Sequence, residues 1–272
     1  MINVMSYNVS WEALEGKQSA SADMTHCMNA DNKCIQNIVS IIAQNKPNDF
    51  ILLQEIRLDN DNQSKPFMEK MRELGLSNMR GIGTSVGKYA GIITMYDEDK
   101  YKVINVVEGD FISPKYARGP LYGRPYLIVL FQRLTDDRIF MVINLHGPQV
   151  WEVTANKTEV VINTIRSEID KIGANNVITI IGGDFNIDMS RSSTQQTYRQ
   201  MLDGGLNGFE PEDTCCDDGN TGGYMAGSFD HIAVSSPNTI TYAKSPSYAQ
   251  YWLRGKPMMS DHLPRVAHIS IV

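Results

Sequence analysis

The segment Val177-Ile178-Thr179-Ile180-Ile181-Gly182-Gly183-Asp184-Phe185-Asn186 runs from apolar, mostly β-branched residues straight into two glycines, a carboxylate and an asparagine. Such a run predicts a buried strand, with the polar residues standing at its exit. The same order recurs outward in both directions. Residues 2–9 alternate and close on Asn8, and Phe50-Ile51-Leu52-Leu53 closes on Gln54-Glu55. Further strands are predicted over 90–96, 101–107, 125–133, 138–145, 229–235, 239–243 and 265–272. Ile35, Ile38, Val39 and Ile42 recur at helical spacing up to Lys46-Pro47, and helices are also predicted over 65–75, 152–172 and 194–203. Gly81–Gly87 reads as a flexible turn. Strands and helices are mixed and no long linker divides them, which predicts one α/β domain over residues 1–272.

The chain has 272 residues, a formal net charge of −6, 42% hydrophobic and 21% charged residues. That composition excludes disordered and fibrous classes. The acidic balance argues against a large electrostatic wrap around nucleic acid, but leaves room for an enzyme that touches a few phosphates. Met1–Tyr7 reads as a strand and not as a leader, and no apolar run approaches the roughly 18 residues of a membrane span. A cytoplasmic or nuclear protein away from membranes is expected, although a secreted chain with its signal removed would read the same. Four cysteines are too few for a disulfide scaffold, so Cys27 and Cys34 are expected to be reduced. Adjacent Cys215-Cys216 lacks the spacing of a zinc or redox pair.

The residues that close the apolar runs form a set of their own. Asn8, Glu55, His146, Asp184, Asn186, Asp230, Asp261 and His262 are rich in oxygen donors and include two histidines. This suits Mg2+ or Ca2+ better than Zn2+. Six segments carry the set in order: Ser6-Tyr7-Asn8, Leu53-Gln54-Glu55, Asn144-Leu145-His146, Gly183-Asp184-Phe185-Asn186, Phe229-Asp230-His231-Ile232 and Ser260-Asp261-His262-Leu263-Pro264. In type and order the six segments resemble the endonuclease/exonuclease/phosphatase (deoxyribonuclease I-like) superfamily. The resemblance implies a four-layer α/β sandwich, two packed mixed sheets flanked by helices, with the site at one end. It implies Glu55 as metal ligand with Asn8 and Asp261 beside it, and Asp184 and Asn186 handling water and phosphate oxygen. It further implies His262 as the essential histidine oriented by Asp230, with His146 a second histidine and Arg124 a phosphate grip.

These roles suit phosphoester chemistry. Attack on an anion needs its charge neutralised, which a divalent ion and an arginine fork can do. A carboxylate-oriented histidine can exchange a proton near neutral pH. One departure is visible: Gly87-Lys88-Tyr89-Ala90-Gly91 lacks the glutamate that pairs with the second histidine in the deoxyribonuclease I branch. Two basic and aromatic groups, Lys115, Tyr116, Arg118, Tyr122, Arg124 and Tyr126, then Tyr248, Tyr251, Trp252, Arg254 and Lys256, suit a nucleic-acid strand. The expectation is a monomeric, Mg2+-dependent phosphodiesterase acting on DNA or RNA, with Mn2+ or Ca2+ as alternative ions. The rivals are a phosphatase or phosphodiesterase for inositol phosphates, sphingomyelin or nucleotides, and a binding protein that kept the fold without the catalysis.

Overall fold

In chain order the elements are β1 (Ile2–Asn8), α1 (Trp11–Leu14), α2 (Lys33–Gln44), β2 (Phe50–Gln54), α3 (Asp61–Glu73), β3 (Met79–Val86), β4 (Ala90–Asp97), β5 (Tyr101–Asp110), β6 (Pro125–Arg133), β7 (Ile139–His146), α4 (Lys157–Ile172), β8 (Ile178–Asp184), α5 (Ser192–Arg199), β9 (Leu206–Gly208), β10 (Asp230–Ser235), β11 (Thr239–Tyr242), β12 (Trp252–Leu253), β13 (Lys256–Pro257) and β14 (Arg265–Ser270). This computed structural model describes residues 1–15, 27, 32–46, 48–86, 90–112, 123–149, 156–173, 176–215, 227–244, 248–253 and 256–272.

Two six-stranded sheets form, ordered β11-β14-β1-β2-β4-β3 and β5-β6-β7-β8-β10-β9. β1–β2 and β7–β8 pair in parallel and the other neighbours are antiparallel, so both sheets are mixed. The side-chain alternation of β2 shows how they stack. Phe50 and Leu52 join Val129, Phe131, Val142 and Ile180 in an apolar layer between the sheets. Ile51 and Leu53 face the other way, onto Ile35, Ile38 and Ile42 of α2 and Phe67 of α3. On the outer face of the second sheet, Met141, Ile143 and Ile181 receive Val161 and Ile165 of α4 and Tyr198 of α5. A strand covered on both faces needs no polar face, which is why the decisive runs are apolar throughout. The result is the expected four-layer α/β sandwich. No helix among the described residues is long and apolar enough to cross a membrane.

Several local expectations need correction. Gly81–Val86 is no turn: these residues lie in β3, paired with β4 from Met79 to Val86. The 152–172 helix starts at Lys157, where the Asn156 side chain accepts the Thr158 N–H at 3.0 Å and caps it. Residues 152–155 lie outside the described residues. The 65–75 helix starts four residues early, at Asp61, because Asn60 caps it in the same way. Cys27 and Cys34 are joined in a disulfide, not reduced. Cys34 sits in the first turn of α2, both residues are buried, and their Cα atoms are 5.7 Å apart, within bridging reach.

One buried group ties this core to pH. His231 is fully buried between Phe185 and Phe209, and its Nε2–H donates to the Ser228 carbonyl at 2.8 Å. Burial pushes it down from 6.5 to about 4, only partly opposed by that bond and by Asp188. Between those values the unfolded chain binds a proton that the folded chain refuses, so stability falls as pH drops through that window and levels off below it. The expected loss is at most about 3 kcal/mol. In thermal melts from pH 7 to 4, His231→Phe should flatten the acid slope; parallel slopes for variant and parent would sink this assignment.

Candidate active site

Strand register brings the polar exits together. Asp184, the last residue of β8, pairs with His146 on β7 and with Asp230 on β10. Three ionisable side chains thus stand in a row across one end of the second sheet. In the first sheet Asn8 closes β1 beside Gln54 on β2, and Glu55 follows directly. The two ends meet through Asn8, whose Nδ2 donates to Glu55 Oε1 at 3.1 Å and to Asp184 Oδ2 at 3.0 Å. The Trp11 N–H donates to the other Glu55 oxygen at 3.1 Å. Glu55, Asn186 and Ser10 all hold positive φ, at 62°, 50° and 54°. Such unfavourable backbone is retained where surrounding contacts over-determine it, often at functional sites.

A buried polar seam supports the junction from below. Gln54 Nε2 donates to Asn144 Oδ1 at 2.8 Å, and Asn144 Nδ2 donates to the Leu53 and Ile93 carbonyls at 3.2 and 3.0 Å. Asn144 belongs to the second sheet and its acceptors to the first, so the two halves of the site are stitched directly.

The histidines are in opposite states. His262 Nδ1 lies 2.8 Å from Asp230 Oδ2, and its Nε2 lies 3.9 Å from Asp184 Oδ2. Burial disfavours its charge, but Asp230, Asp184 and Asp261 outweigh that and hold it well above the ordinary histidine value. These three carboxylates favour its charged form. His146 is pushed well below that value by burial and by the nearby Arg124 and His262 charges. Its Nε2 accepts a hydrogen bond from Arg124 Nη1 and faces Asp184 Oδ2 at 3.6 Å and Glu55 Oε1 at 3.8 Å. Glu55 is raised by burial and by Asp261, against Asn8, His262 and Arg124. Asp184 is raised chiefly by burial, while His262, the Asn186 N–H and Asn8 pull it back.

Asn8, Glu55, Arg124, His146, Asp184, Asn186, Asp230, Asp261 and His262 lie at this sheet end or on the loops that enter it. Asn186 donates its backbone N–H to Asp184 Oδ1 at 2.7 Å and its side-chain amide to the Gly147 carbonyl at 2.9 Å. Arg124 is buried, its backbone N–H held by Asp110 at 2.8 Å. Among the described residues, no group of three or more His, Cys, Asp and Glu side chains forms a metal cage. Lys115, Tyr116, Arg118, Tyr122 and Arg254 lie outside the described residues, as do Lys88 and Tyr89. Three neighbours escaped the sequence reading. Ser260 Oγ donates to the Asn8 carbonyl at 2.6 Å and accepts the His262 N–H at 3.1 Å. Lys157 Nζ donates to the Asn186 carbonyl. Thr214 lies behind Asp230. A hydroxyl or ammonium that acts on backbone atoms leaves no spacing pattern to find.

The sequence pattern of the endonuclease/exonuclease/phosphatase family matches residues 5–262, from β1 to His262. The chain belongs to this family. It is also 25% identical over 248 residues to an uncharacterised protein of Acanthamoeba polyphaga mimivirus, covering 87% of this chain but only 43% of that protein. Among solved structures, ANGEL2, a 2′,3′-cyclic phosphatase, has a similar fold, with a TM-score of 0.71, 16% identity and coverage of 98% of this chain and 95% of that one. A mannosyl-6-phosphatase of Bacteroides thetaiotaomicron aligns over 100% of both chains with a TM-score of 0.68 and 18% identity. Members of this family are phosphoester hydrolases.

Proposed function

We propose that the protein is a Mg2+-dependent phosphodiesterase whose first substrate class is nucleic acid. The observation that supports this most directly is the buried imidazolium of His262, oriented by Asp230 and turned toward Asp184 beside a second carboxylate, Glu55. Glu55 suits a hard cation because burial and Asp261 both work against its charge, and a divalent ion would offset both. Mg2+ usually binds through one or two carboxylates and keeps several waters, so Glu55 with Asp261 and Asn8 would suffice without a larger cage. Bound there, the ion would polarise a phosphoryl oxygen and stabilise charge developing on it.

The chain's own groups would do the rest. Arg124 presents guanidinium donors to the phosphate, and neutral His146 orients that side chain by accepting from its Nη1. Asp184, held by Asn8 and the Asn186 N–H, accepts a proton from the attacking water. His262 donates from Nε2 to the charge that develops, while Asp230 keeps its tautomer fixed. Likeness to two phosphatases favours a second reading, hydrolysis of a phosphomonoester or a small cyclic ester.

A substrate panel separates them. Plasmid, single-stranded DNA, RNA, bis-p-nitrophenyl phosphate, p-nitrophenyl phosphate, inositol phosphates and sphingomyelin would each be assayed with Mg2+ and with EDTA. The proposal expects polynucleotide and diester cleavage with Mg2+, and none in EDTA. Turnover of monoesters alone, or undiminished rates in EDTA, would count against it.

A further inference from the structure

We infer that Thr214 is a positioning residue that holds both members of the His262–Asp230 pair. The inference rests on the catalytic reading of that pair, but its first test does not. Thr214 is 1% exposed and belongs to no strand. β9 pairs with β10 only from Ala233 to Ser235, so the start of β10 has no strand neighbour on that side. Thr214 takes the place of one. Its Oγ1 accepts the Asp230 N–H at 3.1 Å and the Phe229 N–H at 3.3 Å. Its carbonyl accepts the Leu263 N–H at 2.7 Å, and its own N–H donates to the Gly227 carbonyl at 2.9 Å. The next residue continues the clamp: Cys215 forms a β-bridge with His262, and its Sγ lies 3.1 Å from His262 Nε2.

One side chain thus fixes the backbone of Asp230, while the carbonyl of the same residue fixes the backbone immediately after His262. The Nδ1–Oδ2 separation of 2.8 Å is set between two segments 32 residues apart in sequence, and Thr214 is bonded to both. Threonine suits the place because its hydroxyl accepts two N–H groups that would otherwise be buried without partners. Valine has the same shape and no acceptor, whereas serine keeps the acceptor.

The test compares Thr214→Val with Thr214→Ser. In protein with 15N-labelled imidazoles at fixed pH, the low-field proton of His262 Nδ1–H reports the bond to Asp230 directly, whatever the substrate proves to be. Thr214→Val should shift or broaden that resonance and lower kcat on bis-p-nitrophenyl phosphate by about 10- to 100-fold with KM little changed. Thr214→Ser should restore both. If valine prevents folding, Thr214→Ala against Thr214→Ser makes the same comparison, because alanine leaves room for a water. An unshifted resonance in the variant without the hydroxyl, or equal damage in the serine variant, would overturn the inference. Absence of turnover in the parent protein would speak against the proposed reaction and leave the resonance comparison decisive for Thr214.

Discussion

His262→Ala should lower phosphoester hydrolysis by about 10³-fold or more while leaving the protein folded. The side chain supplies the only imidazolium among the described site residues, since His146 is held neutral. Its removal takes away both a proton donor and the positive charge that steadies Asp184. Asp184→Asn should cost a comparable factor by a different route. The amide keeps the shape and one acceptor oxygen, enough for the Asn186 N–H or for Asn8 but not for both, and it cannot accept a proton from water. Groups that act as one unit are not additive, so the double variant should be scarcely slower than either single one. Initial rates with bis-p-nitrophenyl phosphate and Mg2+, alongside circular dichroism melts, provide the check. Near-parental turnover in both folded variants would remove these residues from the mechanism.

The second large effect is on stability. Gly183→Ala should destabilise the fold by about 4 kcal/mol, lowering the melting temperature by about 10 °C. Gly183 sits at φ +147°, and a Cβ there would stand 2.0 Å from the Leu145 carbonyl oxygen on the paired strand β7. Neither backbone can yield, because Leu145 and Gly183 precede His146 and Asp184 in the same register. Gly204→Ala is the matched control: φ is +86°, yet nothing lies within 4 Å of the added carbon. It should show only the backbone penalty of about 1 to 2 kcal/mol. Equal melting temperatures for the two variants would show that the approach of β7 to β8 is not what demands the glycine.

These residues also show how far the sequence could be read. The strands ending at Asn8, Gln54, His146 and Asp184 were legible because burial on both faces keeps them largely apolar up to their exits. The order of six short segments then pointed to the fold. The start of α4 and α3 was misplaced because Asn156 and Asn60 act as caps through one side-chain oxygen each, a local contact with no periodicity. The stretch Gly81–Gly87 reads as a turn in sequence because its glycines mask alternation. That face is close-packed, since a Cβ on Gly83 would fall 2.9 Å from Leu58 and 3.1 Å from the Ile92 carbonyl. The Cys27–Cys34 bridge was missed because only the packing of Cys27 against α2 brings the two sulfurs together.

What the sequence by itself determined is the fold class and the identity of the chemical groups, since alternation, apolar runs and residue order are properties of the chain. Only the tertiary structure decided what those groups can do. Two histidines of the same intrinsic basicity are pushed in opposite directions, the second down by burial and by Arg124, the first up because Asp230, Asp184 and Asp261 outweigh its burial. Charge state depends on distance through a poorly polarisable interior, and distances between residues 8, 55, 146, 184, 230 and 262 exist only once the two sheets have packed.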